Sequence, residues 1–407
     1  MEINASLAAP RHDAKVIGLI CTGHFFSHFY MLLLPPLLPV LREVYGVGYT
    51  ELGLALTTFS IATGLTQVPI GFLVDRYGAR TILIVGIMVE SLAIASIGVF
   101  PFYNALLALI ALAGFANAVY HPADYAILNS SINNQRMGRA FSIHTFAGYL
   151  GEAIAPATML FLMTLTDWRS GLIICGLSGA VIAVIMGLNS SVLQDAHLSK
   201  HPNGKPTAKA GRTGLQLLFS IPILMGLLFF VGIALAGRGI SGFSVATLNT
   251  LYATPLSEAG AVLSAYLFAS PLGVLLGGWI ADRIDRHDII VALCFVGVAS
   301  AFFTVAATEL PLAGIAILFA FAGLCAGIVA PSRDMMIRSV TPSGETGKVF
   351  GFVSTGFNIG GIIGPALFGY LLDNAHPKLL FWAIGVISLL TVATVLETGR
   401  RAGQAIK

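Results

Sequence analysis

Charge is what this sequence has least of: Asp, Glu, Lys and Arg make up 10% of its 407 residues, against roughly 25% in a typical soluble domain. A chain so poor in charge cannot give every element a water-facing side. An ordinary soluble fold is thereby excluded. Cysteine is scarce as well. Cys21, Cys175, Cys294 and Cys325 all lie in apolar runs without metal-ligand spacing, where they act as small hydrophobes. The chain also lacks the short motifs that carry hydrolytic or nucleotide chemistry: there is no Gly-x-Ser-x-Gly, no His-Glu-x-x-His and no Gly-x-x-x-x-Gly-Lys. An enzyme is not expected, and no cofactor is implied. The formal charge of +3 gives no case for nucleic acid.

What remains is apolar. Hydrophobic residues make up 56% of the chain, in runs long enough to cross about 30 Å of hydrocarbon at about 1.5 Å per helical residue. Twelve such runs lie near 16–41, 51–74, 81–100, 104–128, 139–165, 169–193, 215–251, 256–281, 288–308, 311–338, 348–372 and 378–397. The seventh is too long for one span and is expected to begin as a surface helix. Backbone amides in lipid must be satisfied within their own segment, so the spans read as helices and the fold class as all-α, integral to the membrane.

The basic residues set the orientation. With the N-terminus inside, most Lys and Arg fall in cytoplasmic loops and tails, whereas only Arg42, Arg169 and Lys378 fall outside. Both termini are therefore expected in the cytoplasm. Residues 1–15 are polar and show no cleavage pattern, so no cleavable signal peptide is expected. The one long polar stretch, 194–214, reads as a flexible cytoplasmic linker. It divides the chain into an N-terminal six-helix bundle, 1–193, and a C-terminal one, 215–407.

The two halves repeat one another. Gly71, Asp75, Arg76, Gly78 and Arg80 close the second span, and Gly278, Asp282, Arg283 and Arg286 close the eighth in a degenerate copy. Pro122, Gly138, Phe141, Gly151 and Pro156 return as Pro331, Gly347, Phe350, Gly360 and Pro365, all at one offset. An internal repeat of membrane helices points to two bundles working around a site between them. Glycines at Gly148, Gly151, Gly356, Gly360, Gly361 and Gly364 suit close helix packing.

With the repeated loop motif, the six-plus-six division and the central basic linker, the chain resembles the major facilitator superfamily of secondary transporters. The run Gly23, His24, Ser27, His28 and Tyr30, followed by Pro35-Pro36 and later by His121-Pro122, looks like its fosmidomycin-resistance-like branch. The resemblance implies two six-helix lobes and makes Gly71, Asp75, Arg76, Gly78, Arg80, Asp282 and Arg283 a conformational latch. Asp75 would cap the helix beginning near Gly347, and Asp282 the one near Gly138. A carboxylate is favoured at such a helix start. In the fifth span the chain departs from the exporters' motif, with Ala155 before Pro156 and Glu152 inserted, so export by the usual antiport logic does not follow.

Ionisable groups within spans are costly and mark function by default. His24 and His28 share one face of the first span. They could carry a proton or hydrogen-bond an anion, or simply bond neighbouring helices; a metal site would need a third ligand that spacing does not name. His121 and Asp124 share a face of the fourth span. At the repeat offset Asp124 matches Arg333 and Tyr125 matches Asp334, which suggests a gate of His121, Asp124, Arg333 and Asp334, or a local Arg333–Asp334 pair. Arg238 carries a planar fork suited to carboxylate or phosphonate, unless it pairs with Glu152 or Glu90. Asp124, Glu152 and Glu90 are the proton-coupling candidates, and His144 is a further intramembrane ionisable group. Tyr30, Tyr149, Asn249 and Asn358 are candidate polar lining.

The resulting expectation is a monomeric, multi-pass protein of the inner membrane. It would move a small, anionic organic solute by proton-coupled alternating access, as in drug or phosphonate efflux. An importer of an organic acid or metallophore is the alternative, and a membrane sensor or scaffold the non-transport one.

Overall fold

The computed structural model describes residues 2–132, 136–193, 214–281, 283–284, 286–341, 346–374 and 377–405. Asp282 and all of the expected linker except Gly214 lie outside these residues, as does the side chain of Asp75. Among the described residues the regular elements are helical, with no strand. This is what hydrocarbon demands of a backbone that cannot borrow hydrogen bonds from water.

The chain begins with α1 (Glu2–Met31), and α2 (Leu38–Tyr45) follows a short 3-10 turn at Pro35–Leu37. Pro35 and Pro36 lack the amide hydrogen that a continuing helix needs. Gly46 closes α2 in the left-handed region, at φ +63°. α3 (Tyr49–Tyr77) is separated from α4 (Ala79–Val99) by Gly78 alone, whose φ of 92° only glycine adopts without strain. Arg80, just past that bend, donates from Nη1 to the carbonyl of Ser190 at 3.1 Å.

The fourth apolar run is not one helix. It divides into α5 (Tyr103–Asn117) and α6 (Tyr120–Ser131). Pro122 cannot donate to the carbonyl four residues back and its ring clashes with it, so the helix breaks around Ala118 and Val119. α7 (Met137–Leu165) and α8 (Trp168–Leu188) complete this half, Asp167 capping α8 by accepting from the amides of Arg169 and Ser170.

In the second half the seventh run also divides, into a short α9 (Gly214–Leu218) and the long α10 (Ile221–Tyr252). α11 (Leu256–Ala281), α12 (His287–Ala307), α13 (Leu312–Ser339), α14 (Thr346–Asp373) and α15 (Pro377–Ala405) follow. Eleven helical stretches of the described residues are long and apolar enough to cross a membrane, and the 29-residue α3 brings the set to the expected twelve.

Two compact units result. The first comprises residues 1–46 and 58–203, and the second 47–57 and 204–407. In the first, α1 packs against α7 and α6, and α4 against α8. In the second, α10 packs against α14 and α15, α11 against α13, and α12 against α15. The repeat explains part of this. A Cβ on Gly151 of α7 would strike the Phe25 carbonyl of α1, and one on its counterpart Gly360 of α14 would strike Ala234 of α10. The same position in each half lets two backbones touch.

The opening turns of α3 belong to the second unit and are held there by α14. Asp373 accepts from the amides of Tyr49 at 2.7 Å and Thr50 at 2.6 Å. Glu51 reaches back to the Gly48 amide at 2.9 Å, the reciprocal half of a capping box.

Candidate functional site: a buried cluster of imidazoles and carboxylates

The first unit gathers four histidines and two carboxylates from three helices. Helical periodicity puts His24 and His28 one turn apart on α1. The break at Ala118 and Val119 starts α6 afresh, with His121 in its first turn and Asp124 one turn in. α7 contributes His144 and, two turns later, Glu152. α1 and α7 come this close because Gly148 has no side chain: a Cβ there would lie 2.9 Å from His24 Nε2 and 3.0 Å from His28 Cδ2.

Asp124 is the hub. Its side chain is completely buried, and its Oδ2 lies 2.9 Å from His144 Nε2 and 3.4 Å from His24 Nδ1. His144 Nε2 and Asp124 Oδ2 share a hydrogen bond. The His24 and His144 rings stack at 3.6 Å between centroids and 20° between planes. His28 packs edge-on to His24 at 4.7 Å, and His121 does so at 5.4 Å.

A second pair lies alongside. His28 Nδ1 and Glu152 Oε1 are 2.8 Å apart, and about a quarter of each side chain is exposed, 24% and 27%. Glu152 is therefore partly exposed, in contrast to Asp124. A further proton-coupling candidate, Glu90 of α4, is fully buried and accepts from Asn117 Nδ2 at 3.0 Å.

Other residues singled out by sequence fall elsewhere. Tyr30 is buried among α1, α4 and α8, its hydroxyl 2.9 Å from Ser91 Oγ and donating to the carbonyls of Cys175 and Gly176 at 3.3 Å. It braces three helices. Tyr149 is half-buried on α7. In the second unit Arg333 makes the local pair, with Nε 2.8 Å from Asp334 Oδ1, and lies over the rings of Phe230 and Phe357 at 5.1 Å and 5.4 Å. Arg238 is half-buried on α10 beside Gly364, where a Cβ would lie 2.9 Å from its own Cβ. Asn249 donates to the Thr254 carbonyl at 3.0 Å at the end of α10, and Asn358 is half-buried on α14. Of the loop motif, Arg76 lies over the Tyr77 ring and Arg283 over the Trp279 ring. Gly71 stands with open space around it.

The model of one family, the Major Facilitator Superfamily, matches residues 20–245 and 227–405. The chain belongs to that superfamily. Among superfamily relatives, the fosmidomycin resistance protein of Escherichia coli K12 is 23% identical over 400 residues, covering 98% of this chain and 96% of the relative. A probable L-galactonate transporter of the same organism is 24% identical over 83% of this chain and 78% of its own length. The multi-drug resistance efflux pump PmrA of Streptococcus pneumoniae serotype 4 is 24% identical over 84% and 86%. In solved structures the superfamily fold recurs in a bacterial homologue of the human lysosomal transporter Spinster, inward-facing and unoccupied, with a TM-score of 0.78. That match has 15% identity and covers 96% of this chain and 97% of the other. The chain is thus a multi-pass membrane transporter and not an enzyme.

His144, which sequence reasoning left without a role, joins the candidate site through Asp124. Its sequence signal was only that it ionises inside a span. Its pairing with Asp124, 20 residues away across a loop, follows no helical period.

Proposed function

We propose that this superfamily member is a proton-coupled secondary transporter that exports a small anionic organic solute across the inner membrane. The observation carrying the reading is the His28–Glu152 pair: an imidazole and a carboxylate inside membrane helices, 2.8 Å apart and each about a quarter exposed. A proton can reach Glu152, and His28 is placed to respond to its charge. Glu90 and Asp124, the other two proton-coupling candidates, are both fully buried, whereas Glu152 is partly exposed.

Anionic cargo is supported by the names of relatives, which include the L-galactonate transporter and a probable nitrate/nitrite transporter, NarK2, of Mycobacterium tuberculosis. Arg238 is the residue assigned to the anion, since its fork offers paired donors to a carboxylate or phosphonate. Outward movement is supported by the resistance and efflux names. The galactonate likeness favours the second reading, uptake of an organic acid. Both termini are placed in the cytoplasm on the basic-residue count.

Proteoliposomes holding a pH-sensitive dye test this directly. Fosmidomycin, L-galactonate and nitrate are offered in turn under an imposed pH gradient. One of them should drive proton movement that a protonophore abolishes and Glu152→Gln removes. Solute movement indifferent to both would overturn proton coupling.

A further inference from the structure

We propose that His24, Asp124 and His144 form a binding site for a divalent first-row transition-metal ion of the zinc type. The three side chains come from three helices, α1, α6 and α7, and all are buried. One donor atom from each lies within 4.8 Å of the other two. The two shortest separations, 2.9 Å and 3.4 Å, bracket the edge of about 3.3 Å that bonds of about 2.0–2.1 Å span in a tetrahedral centre. The third edge is bounded only at 4.8 Å and the two imidazoles stack at 20°, so seating an ion requires the His24 and His144 rings to turn until both in-plane lone pairs meet it.

The donor set selects the ion. Two imidazole nitrogens and one carboxylate oxygen suit zinc, iron or nickel; Ca²⁺ and Mg²⁺ prefer oxygen alone, and Cu(I) prefers sulfur. Three protein ligands also leave a coordination position for water or solute.

Two orphaned atoms point the same way. His24 Nδ1 and Asp124 Oδ1 are buried and make no hydrogen bond among the described residues. The 3.4 Å contact between His24 Nδ1 and the other Asp124 oxygen lacks hydrogen-bond alignment. Unsatisfied polar atoms at this depth are costly; a cation held by the three donors satisfies His24 Nδ1, and bidentate binding by the Asp124 carboxylate satisfies Oδ1 as well. An approach also exists. His121 is exposed and stands 5.4 Å, ring to ring, from His24, and His28, partly exposed, stands 4.7 Å away. These two imidazoles lie between the buried donors and the surface of the first unit.

The site and the proton pair are separate claims. Glu152 is not one of the three donors, so either can fail alone. The test uses the full-length chain in detergent, stripped with chelator and carrying a tag without histidine. Co²⁺ is the spectroscopic probe and Zn²⁺ the competitor. Stoichiometric Co²⁺ should give visible ligand-field bands of a low-coordinate nitrogen and oxygen site, and Zn²⁺ should bleach them. His24→Gln and His144→Gln should each weaken binding by about tenfold or more, while His287→Gln and Glu152→Gln leave it intact. X-ray absorption of zinc-loaded wild-type protein should show two imidazoles and a carboxylate oxygen, and so decides the matter even where a variant fails to fold. Absence of stoichiometric binding, an all-oxygen shell, or binding indifferent to both donor substitutions would overturn the site, leaving a plain hydrogen-bonded imidazole–carboxylate relay.

Discussion

His144 Nε2 and Asp124 Oδ2 lie 2.9 Å apart, in a pocket where the exposure of the His144 side chain is 2% and that of Asp124 is 0%. The pair ties α7 to α6 at the point where α6 restarts after its proline break. A carboxylate buried in a membrane helix persists only when partnered, and His144 is the partner.

Asp124→Ala should accordingly be more damaging than Asp124→Asn. The alanine leaves the buried His144 imidazole without its partner, a loss of about 1–3 kcal/mol, whereas asparagine keeps one oxygen for His144. Thermal melting in detergent should rank wild type first, the asparagine variant second and the alanine variant last. Equal melting of all three would show that the pair does not hold the helices.

Arg238 tests the anion reading. Arg238→Lys keeps the charge and loses the planar fork, so transport should weaken, and Arg238→Ala should abolish it, with folded yield preserved in both. Solute flux in proteoliposomes is the readout. Full flux in the alanine variant removes Arg238 from the solute site.

Two glycines on one helix should part company. A Cβ at Gly351 of α14 meets nothing within 4 Å, while one at Gly360 collides with Ala234 and comes within 2.9 Å of the Val231 carbonyl. Gly360→Ala should cost about 1–3 kcal/mol through overpacking, and Gly351→Ala should be neutral or mildly favourable. Melting temperatures compare them; parity would mean that α10 and α14 separate freely.

Asp373 caps the start of α3 by accepting from the amides of Tyr49 and Thr50 and from the Thr50 hydroxyl at 2.5 Å. Asp373→Ala removes every one of these acceptors and should cost about 0.5–2 kcal/mol, as loss of a helix cap does. Hydrogen exchange at Tyr49 and Thr50 should quicken in that variant, with exchange in α12 unchanged. Unaltered protection at both amides would place the capping elsewhere.

The twelve spans were legible because hydrocarbon imposes a length and a composition that can be counted along the chain. The interruptions were partly legible. Pro35 and Pro36 stood inside the first predicted run, and Pro122 inside the fourth, where the helix breaks without a polar loop to announce it. Superfamily membership was legible through Gly71, Asp75, Arg76, Gly78 and Arg80, since a loop motif needs residue identity rather than packing. Tyr30 shows the limit. It was read as candidate polar lining, and its hydroxyl is turned toward α4 and α8, because side chains one or two positions apart on a helix point to different neighbours.

The sequence by itself determined the membrane setting, the helical class, the duplicated halves and the short list of intramembrane charges, all of which follow from local composition and from spacing along one chain. Only the tertiary structure decided that His24, Asp124 and His144 meet, that His28 faces Glu152 and that Arg333 turns to Asp334. Those contacts depend on how α1, α6 and α7, or α10, α13 and α14, are rotated and how closely they approach. Helix rotation and approach are set by packing between elements, through residues such as Gly148 whose only contribution is the space they leave.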